Sequence, residues 1–147
     1  MLLLCSQGKS LDIVKEFFYK VKVTKNEIDF NNHLNNFYYV KWMQDSGIEH
    51  SKANGITFET YKKIGATWFA KSHHIEYKAP AFLGDEIIVK TWISEIGKIK
   101  STRKYEFYRV SDDKLLATAE TVWVFVDMKS GRPTPIKNEI KSKFLIS

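Results

Sequence analysis

Residues 35–55 read NNFYYVKWMQDSGIEHSKANG, and this stretch predicts one long helix over residues 37–53. Asn35 or Asn36 can cap its start, because an Asn side chain accepts a hydrogen bond from the free N–H groups of the first helical turn. The closing Asn-Gly pair is a typical C-terminal stop. The apolar residues cover a wide arc, so we expect other structure to wrap most of the helix. Gly47 weakens the helix but allows a close approach to it.

Strand patterns lie on both sides of this helix. Before it, residues 17–24 alternate apolar side chains with lysines, which is the period of a half-buried strand. After it, segments separated by short turn signals predict four more strands and a short C-terminal helix, at 66–77, 86–95, 99–110, 115–127 and 136–144. Short turns between strands predict an antiparallel meander. One long helix with one antiparallel sheet is an α+β architecture, and we expect the sheet to curl around the helix.

The composition is that of one folded domain. The chain has 147 residues, of which 44% are hydrophobic and 14% aromatic, so general disorder is excluded. The single Cys5 excludes a disulfide framework and a multi-cysteine zinc site. The apolar start is too short for a secretion signal, and no run approaches the ~18 residues of a membrane span. We expect a cytoplasmic protein with an N-terminal extension at 1–14 and one domain at 15–147.

The net charge is modest, at +6 from 23 Lys and Arg against 17 Asp and Glu. No nucleic-acid-binding motif accompanies it, so nucleic acid is not an expected partner. Basic residues cluster around the hairpin predicted at Gly97-Lys98. They are candidate contacts for phosphate groups or for an acidic protein, and an ordinary solvated sheet edge is an equally good explanation. The cluster comprises Lys98, Lys100, Arg103 and Lys104.

A polar, Asn-rich segment precedes the helix. Residues 26–36 read NEIDFNNHLNN. Their side chains would lie beside free backbone N–H groups and the positive end of the helix dipole, which together can hold an anion or a developing oxyanion. A nearby carboxylate can position or deprotonate a water. The residues therefore allow acyl transfer to water, while a capped helix after a solvated Asx-turn loop is the plainer alternative.

Three segments resemble the hotdog-fold acyl thioesterases. EIDFNNHLNNFYY at 27–39 is similar to the family signature, in which an acid-x-Asp pair precedes His-Val-Asn-Asn and a Tyr. IEYKAPAFLGDEI at 75–87 resembles its Tyr-x-x-Pro…Gly-Asp junction, and FVDMKSGRP at 125–133 resembles its last strand and exit. The resemblance covers about residues 16–140. It implies a single hotdog fold, an antiparallel five-stranded sheet wrapped around one long central helix, that hydrolyses an acyl thioester of CoA to the free acid.

The resemblance also implies a catalytic group. Asp29 stands at the position of the catalytic Asp in the 4-hydroxybenzoyl-CoA thioesterase-like group, where it would act as general base or as nucleophile. Asp29, Asn31 and His33 match the Asp-x-Asn-x-His pattern of plant-type acyl-carrier-protein thioesterases, so Asn31 and His33 would position the water or the carbonyl. The plant-type site is not copied in full, because its Glu and Cys positions hold Pro80 and Ala81 here.

Further residues are expected to bind substrate. Backbone N–H groups at 36–38 would hold the carbonyl oxygen, and the aromatic side chains there would line an acyl channel, although core packing explains them equally well. The basic cluster would contact the phosphates of CoA or an acyl carrier protein. The candidate substrate-binding residues are Asn35, Asn36, Phe37, Tyr38, Tyr39, Lys98, Lys100 and Arg103. Among the other histidines, we expect His50 to be solvated and His73 and His74 to lie on opposite faces of a strand.

Neither a metal nor a cofactor is expected, since thioesters are already activated, the four histidines show no metal-ligand spacing, and CoA enters only with the substrate. The resemblance implies a homo-oligomer, at least a dimer and alternatively a tetramer, with the active site at the subunit interface. Three alternatives stay open: an acyl-carrier-protein thioesterase, a non-catalytic acyl-CoA-binding module, and an enoyl-CoA hydratase of the same fold. The hydratase pattern Asp-x-Asn-Pro-x-His places its His one residue later than His33.

Overall fold

The sheet of the computed structural model, which describes residues 13–144, consists of five strands in one antiparallel array. The strands are β1 (Glu16–Lys22), β2 (Ala66–Tyr77), β3 (Glu86–Ile96), β4 (Lys100–Arg109) and β5 (Lys114–Asp127). Their order across the sheet is β1-β3-β4-β5-β2, and every neighbouring pair is antiparallel. The predicted α+β class and five-stranded sheet are confirmed.

The long helix, α1, spans Asn36–Ala53 with Asn35 as its N-cap, as the sequence predicts. It lies against β1 and β3. Its buried side chains Tyr39, Trp42 and Met43 form the main core with apolar side chains of the strands. The polar segment before α1 is therefore held beside a helix that is anchored in the core.

The prediction of a continuous meander is wrong at one connection. β3, β4 and β5 follow one another as hairpins, but β2 lies at the far edge beside β5, and β3 pairs instead with β1. The connection 78–85 crosses between these edges. Lys78 N–H donates to Leu116 O at β5, and Gly84 N–H donates to Val23 O beyond β1. Short turn signals report where strands end but not which strands pair.

Two helical segments depart from the sequence expectation. α2 (Phe58–Ile64) has no counterpart in the prediction and ends at Gly65, whose φ of 78° is in the left-handed region that favours glycine. The predicted C-terminal helix is divided into α3 (Asn138–Lys141) and a 3₁₀ turn at Ser142–Phe144. A second core cluster joins these segments to the sheet through Ile56, Ala66, Phe125, Ile136, Ile140 and Phe144.

The expected N-terminal extension lies mostly outside the described residues, and so does Cys5. Of residues 1–14 the structure describes Ile13 and Val14. Val14 is held by the end of α1, because its N–H donates to Asn54 Oδ1 at 2.8 Å and its carbonyl accepts from Asn54 Nδ2 at 3.0 Å. Between residues 13 and 144, no helix is long and apolar enough to cross a membrane.

Candidate active site

The polar segment before α1 folds into a tight turn. Ile28 and Leu34 form an isolated antiparallel bridge at its base. Asn32 near the tip has φ 65°, a left-handed conformation that Asn adopts more readily than most residues. Leu34 N–H donates to Ala81 O at 2.8 Å, which ties the turn to the β2–β3 connection. Residues 28–34 are thus held between the start of α1 and the sheet.

The Asp29 carboxylate organises this turn from a half-buried position. Its Oδ1 accepts hydrogen bonds from Asn31 N–H at 2.9 Å and from His33 N–H at 3.2 Å. Its Oδ2 makes no hydrogen bond to any residue between 13 and 144. Asp29 Oδ1 therefore forms the Asx turn of the plainer alternative. Asp29 Oδ2 takes no part in that turn and is available to a water or a substrate.

Asn31 and His33 lie in the same turn as Asp29, but Asp29 holds their backbones rather than their side chains. Asn31 is exposed and His33 is half-buried. The His33 ring stands edge-on to Phe82, with ring centroids 5.4 Å apart and planes at 81°. The three predicted catalytic residues are thus brought together without a hydrogen bond between their side chains in the described part of the chain.

The start of α1 offers fewer free N–H groups than expected. Phe37 N–H donates to the cap oxygen Asn35 Oδ1 at 3.0 Å, and Tyr38 N–H donates to Asn35 O at 3.0 Å. Asn36 N–H has no acceptor among residues 13–144. Of the three groups expected to hold a carbonyl oxygen, the one at Asn36 is therefore available, next to the positive end of the helix dipole.

The aromatic residues at the helix start divide between surface and core. Phe37 is 66% exposed and stands edge-on to the half-buried Tyr38. Tyr39 is only 2% exposed and packs between the rings of Phe107 and Tyr77. Burial raises the pKa of the Tyr39 phenol to about 12. Tyr39 thus belongs to the core, which corrects the expectation that it contacts substrate.

Lys98 and Lys100 of the basic cluster lie at the opposite end of β3 from the connection that contacts the Asp29 turn. Lys98 and Lys100 are exposed at the β3–β4 hairpin. The 11 residues of β3 separate this hairpin from the connection that contacts the Asp29 turn, a span of about 35 Å at ~3.3 Å per residue. A single chain therefore does not bring these lysines and the carboxylate together.

Arg103 is not part of the exposed cluster, and that expectation is wrong. Its side chain is 5% exposed, and Nη1 donates to His50 Nδ1 at 2.9 Å and to Thr91 Oγ1 at 3.0 Å. His50, expected to be solvated, is 0% exposed, and its Nε2–H donates to Val14 O at 2.6 Å. Burial, and secondarily the Arg103 charge, lower the pKa of His50 to about 4, so this imidazole is neutral at pH 7.

A sequence signal for Arg103 exists in the alternation of β4. Ser101, Arg103, Tyr105 and Phe107 are all buried, at every second position of the strand. Of the remaining histidines, His73 Nδ1 lies 2.8 Å from Thr121 Oγ1, whereas His74 pairs with exposed Glu76. Across residues 13–144, no three His, Cys, Asp or Glu side chains are grouped so as to hold a metal ion.

The architecture described above is a sheet packed around one buried helix, with a polar turn at the start of that helix. Comparison with known families agrees with this architecture. A family model described as the thioesterase-like superfamily matches residues 23–144. The chain belongs to this superfamily.

Solved structures show the same fold at low sequence identity. Slr0204, a 1,4-dihydroxy-2-naphthoyl-CoA thioesterase from Synechocystis, aligns with a TM-score of 0.81 at 17% identity, over 88% of this chain and 95% of that one. SAV2348 from Staphylococcus aureus, solved in complex with CoA, aligns with a TM-score of 0.81 at 20% identity, over 90% of this chain and 84% of that one. The predicted hotdog fold is confirmed.

Curated relatives are longer proteins. Oleoyl-acyl carrier protein thioesterase 1 of Arabidopsis thaliana is 24% identical over 71% of this chain and 30% of its own length. L-carnitine dehydrogenase/betainyl-CoA thioesterase of Rhizobium meliloti is 26% identical over 94% of this chain and 28% of its own length. The chain therefore spans less than a third of either relative.

Proposed function

We propose that the chain hydrolyses an acyl thioester, with Asp29 as the catalytic carboxylate. One observation carries the proposal. Asp29 lies on a turn that leads into the buried helix, and its Oδ2 makes no hydrogen bond to the described residues. Membership of the thioesterase-like superfamily supports the same reaction class. Asn36 N–H, one residue into the helix, is the proposed donor to the carbonyl oxygen.

The proposed reaction uses Asp29 as general base. A water gives a proton to Asp29 Oδ2 while its oxygen attacks the thioester carbon, and the resulting oxyanion accepts a hydrogen bond from Asn36 N–H. Collapse of the tetrahedral intermediate breaks the C–S bond, and the proton passes from Asp29 to the departing sulfur. Asn31 and His33 are proposed to orient the water or the carbonyl from their places in the same turn.

The alternative role of Asp29 is nucleophilic. Its carboxylate oxygen would attack the thioester carbon and release the thiol, forming a mixed anhydride whose Asp29 carbonyl carbon is then attacked by water, which releases the acyl group as the free acid. A single turnover in water labelled with heavy oxygen separates the two roles. A general base leads to labelled acid product in the first turnover, whereas a nucleophile leads to an unlabelled first product and a label in the Asp29 carboxylate.

We propose acyl-CoA as the substrate, with an acyl-carrier-protein thioester as the alternative. Because Lys98 and Lys100 lie about 35 Å along the sheet from Asp29, they are proposed to meet the phosphates of a carrier bound to the active site of a partner subunit. An acyl-CoA substrate would fit a cytoplasmic enzyme of lipid metabolism. The exposed Phe37 and half-buried Tyr38 are the proposed contacts for the acyl group near the carbonyl.

A dimer is proposed to form along β2. This strand is 12 residues long, lies at the edge of the sheet, and leaves Phe69 64% exposed. Long unpaired edges with apolar side chains favour pairing with another chain. Sedimentation should give twice the chain mass of 17.2 kDa, and Phe69→Asp should shift the protein toward monomer while the equally exposed Phe58→Asp should not. A wild-type monomer would contradict this assembly.

A thiol-release assay tests the reaction and the substrate together. Purified protein is offered acyl-CoA thioesters of increasing chain length, then the same acyl groups on acyl carrier protein. Release of free CoA supports the main proposal, and release from acyl carrier protein alone supports the alternative. Binding without thiol release would indicate a non-catalytic module, and hydration of crotonyl-CoA without thiol release would indicate a hydratase.

A further inference from the structure

A cavity of about 450 Å³ lies between the second half of α1 and the sheet. It begins at Met43, seven residues into the helix and thus about 10 Å along the axis from the helix start beside Asp29. Its size falls in the range of about 300–1,000 Å³ typical of small-molecule sites. The wall is largely apolar and includes Ile48, Phe58, Trp68, Ile93, Trp123 and Phe144.

Arg103 also lines this cavity. Both hydrogen bonds that it makes within residues 13–144 leave from Nη1, which leaves Nε and Nη2 without an acceptor there. In the same part of the chain, no enclosed side-chain nitrogen or oxygen lacks a partner. The free N–H groups of Arg103 are therefore not fully enclosed, and the cavity that Arg103 lines is the space available for an acceptor.

The charge of Arg103 has no carboxylate partner among residues 13–144, in contrast to Arg109, which pairs with Asp85 and Asp112. Its hydrogen-bond partners are the hydroxyl of Thr91 and the imidazole of His50. That imidazole is neutral at pH 7, since it accepts from Arg103 at Nδ1 and donates to Val14 O from Nε2. A buried cation that is not neutralised is costly, and an anion in the cavity would offset that cost.

Gly47 makes room for this cation. A Cβ atom at Gly47 would lie 3.3 Å from Arg103 Nε and 3.5 Å from Cδ, so any larger residue would press on the guanidinium. Glycine in mid-helix costs up to about 1 kcal/mol relative to alanine. Here the missing side chain of Gly47 leaves the space beside the helix that the Arg103 side chain occupies.

We propose that this cavity binds an apolar molecule with a terminal carboxylate, which accepts hydrogen bonds from the free N–H groups of Arg103. Apolar walls suit the chain, and a guanidinium is the side chain best matched to a carboxylate. The carboxylate has two chemical sources. One is a free fatty acid, and the other is the far end of a dicarboxylic acyl chain whose thioester lies at the start of α1; the second source rests on the proposed function.

Direct binding to the full chain tests the site without any catalysis. Calorimetric titrations compare decanoate with decanol, which has the same chain and no charge. We expect wild-type protein to bind decanoate at least ~10-fold more tightly, the lower end for a hydrogen bond between charged groups. Equal affinities for the two probes would overturn the proposal, whatever happens to any variant.

Two variants locate the charge that is responsible. Arg103→Met should remove the preference for decanoate and leave decanol binding within about twofold. Lys52→Met is the matched control, because Lys52 is an exposed cation on the cavity lining. Loss of the preference in Lys52→Met with retention in Arg103→Met would overturn the assignment to Arg103.

Hydrolysis assays then distinguish the two carboxylate sources. For the dicarboxylic source, wild-type protein should show a higher kcat/KM for the CoA monothioester of decanedioic acid than for decanoyl-CoA, and Arg103→Met should lose that difference. A decanoate preference in binding with no preference in hydrolysis identifies the free acid as the ligand. Absence of the binding preference refutes the site, whereas absence of all hydrolysis with the binding preference intact contradicts only the proposed function.

Discussion

Acidification from about pH 7.5 to about pH 5 should lower the free energy of unfolding by about 2 kcal/mol through His50 alone. The pKa of His50 is about 4 in the folded chain against an ordinary value of 6.5, because the ring is buried and lies beside Arg103. Between these two values the unfolded chain binds the proton and the folded chain does not. The stability contributed by keeping His50 neutral is therefore fully present above about pH 6.5 and is lost as the pH falls toward about 4.

Urea unfolding at both pH values measures this effect. Other groups titrate in the same interval, so two differences must be compared. The loss in free energy of unfolding between the two pH values is measured for wild type and for His50→Gln, which cannot be protonated at this position. His74→Gln is the matched control, because it makes the same change at an exposed imidazole. The reasoning is refuted if wild type and His50→Gln lose the same stability on acidification, within about 0.5 kcal/mol.

Substitutions at three positions test the local structure. Asp29→Ala removes the acceptor of two backbone N–H groups and should cost about 1–3 kcal/mol in chemical denaturation, while Asp29→Asn keeps an oxygen at that place and should cost less than half as much. Asn35→Ala removes the N-cap of α1 and should cost about 1 kcal/mol, seen as a lower thermal midpoint. Gly47→Ala would stabilise a free helix by up to about 1 kcal/mol but should lower the melting temperature here, because its Cβ would press on Arg103; a higher melting temperature would contradict the close contact.

Local signals in the sequence were enough for the bounds of α1 and for the polar turn. The cap at Asn35 and the stop after Ala53 depend on hydrogen bonds within a few residues, so they can be read from the chain directly. The position of β2 beside β5 depends on pairing between residues about fifty positions apart, which turn signals do not encode. The Asp29 turn was predictable because its hydrogen bonds span at most four residues.

The basic cluster shows why nearness in sequence was misleading. Lys98 and Lys100 stay on the surface, whereas strand alternation directs Arg103 inward to a helix residue, His50, 53 positions away. These lysines were expected to contact phosphate groups of the substrate, yet the length of β3 separates them from Asp29 in one chain. Strand alternation could have indicated that Arg103 is buried, whereas only tertiary geometry reveals the cavity beside it.

The rate of thiol release by Asp29→Asn, measured beside wild type on the best acyl-CoA substrate, tests the central claim most directly. The amide keeps an oxygen for the backbone N–H groups of the turn, so circular dichroism and the melting curve should stay close to wild type. Turnover should fall by at least ~10²-fold, the typical contribution of a positioned base. Near-normal hydrolysis by a folded Asp29→Asn protein would contradict the assignment of Asp29 as the catalytic carboxylate.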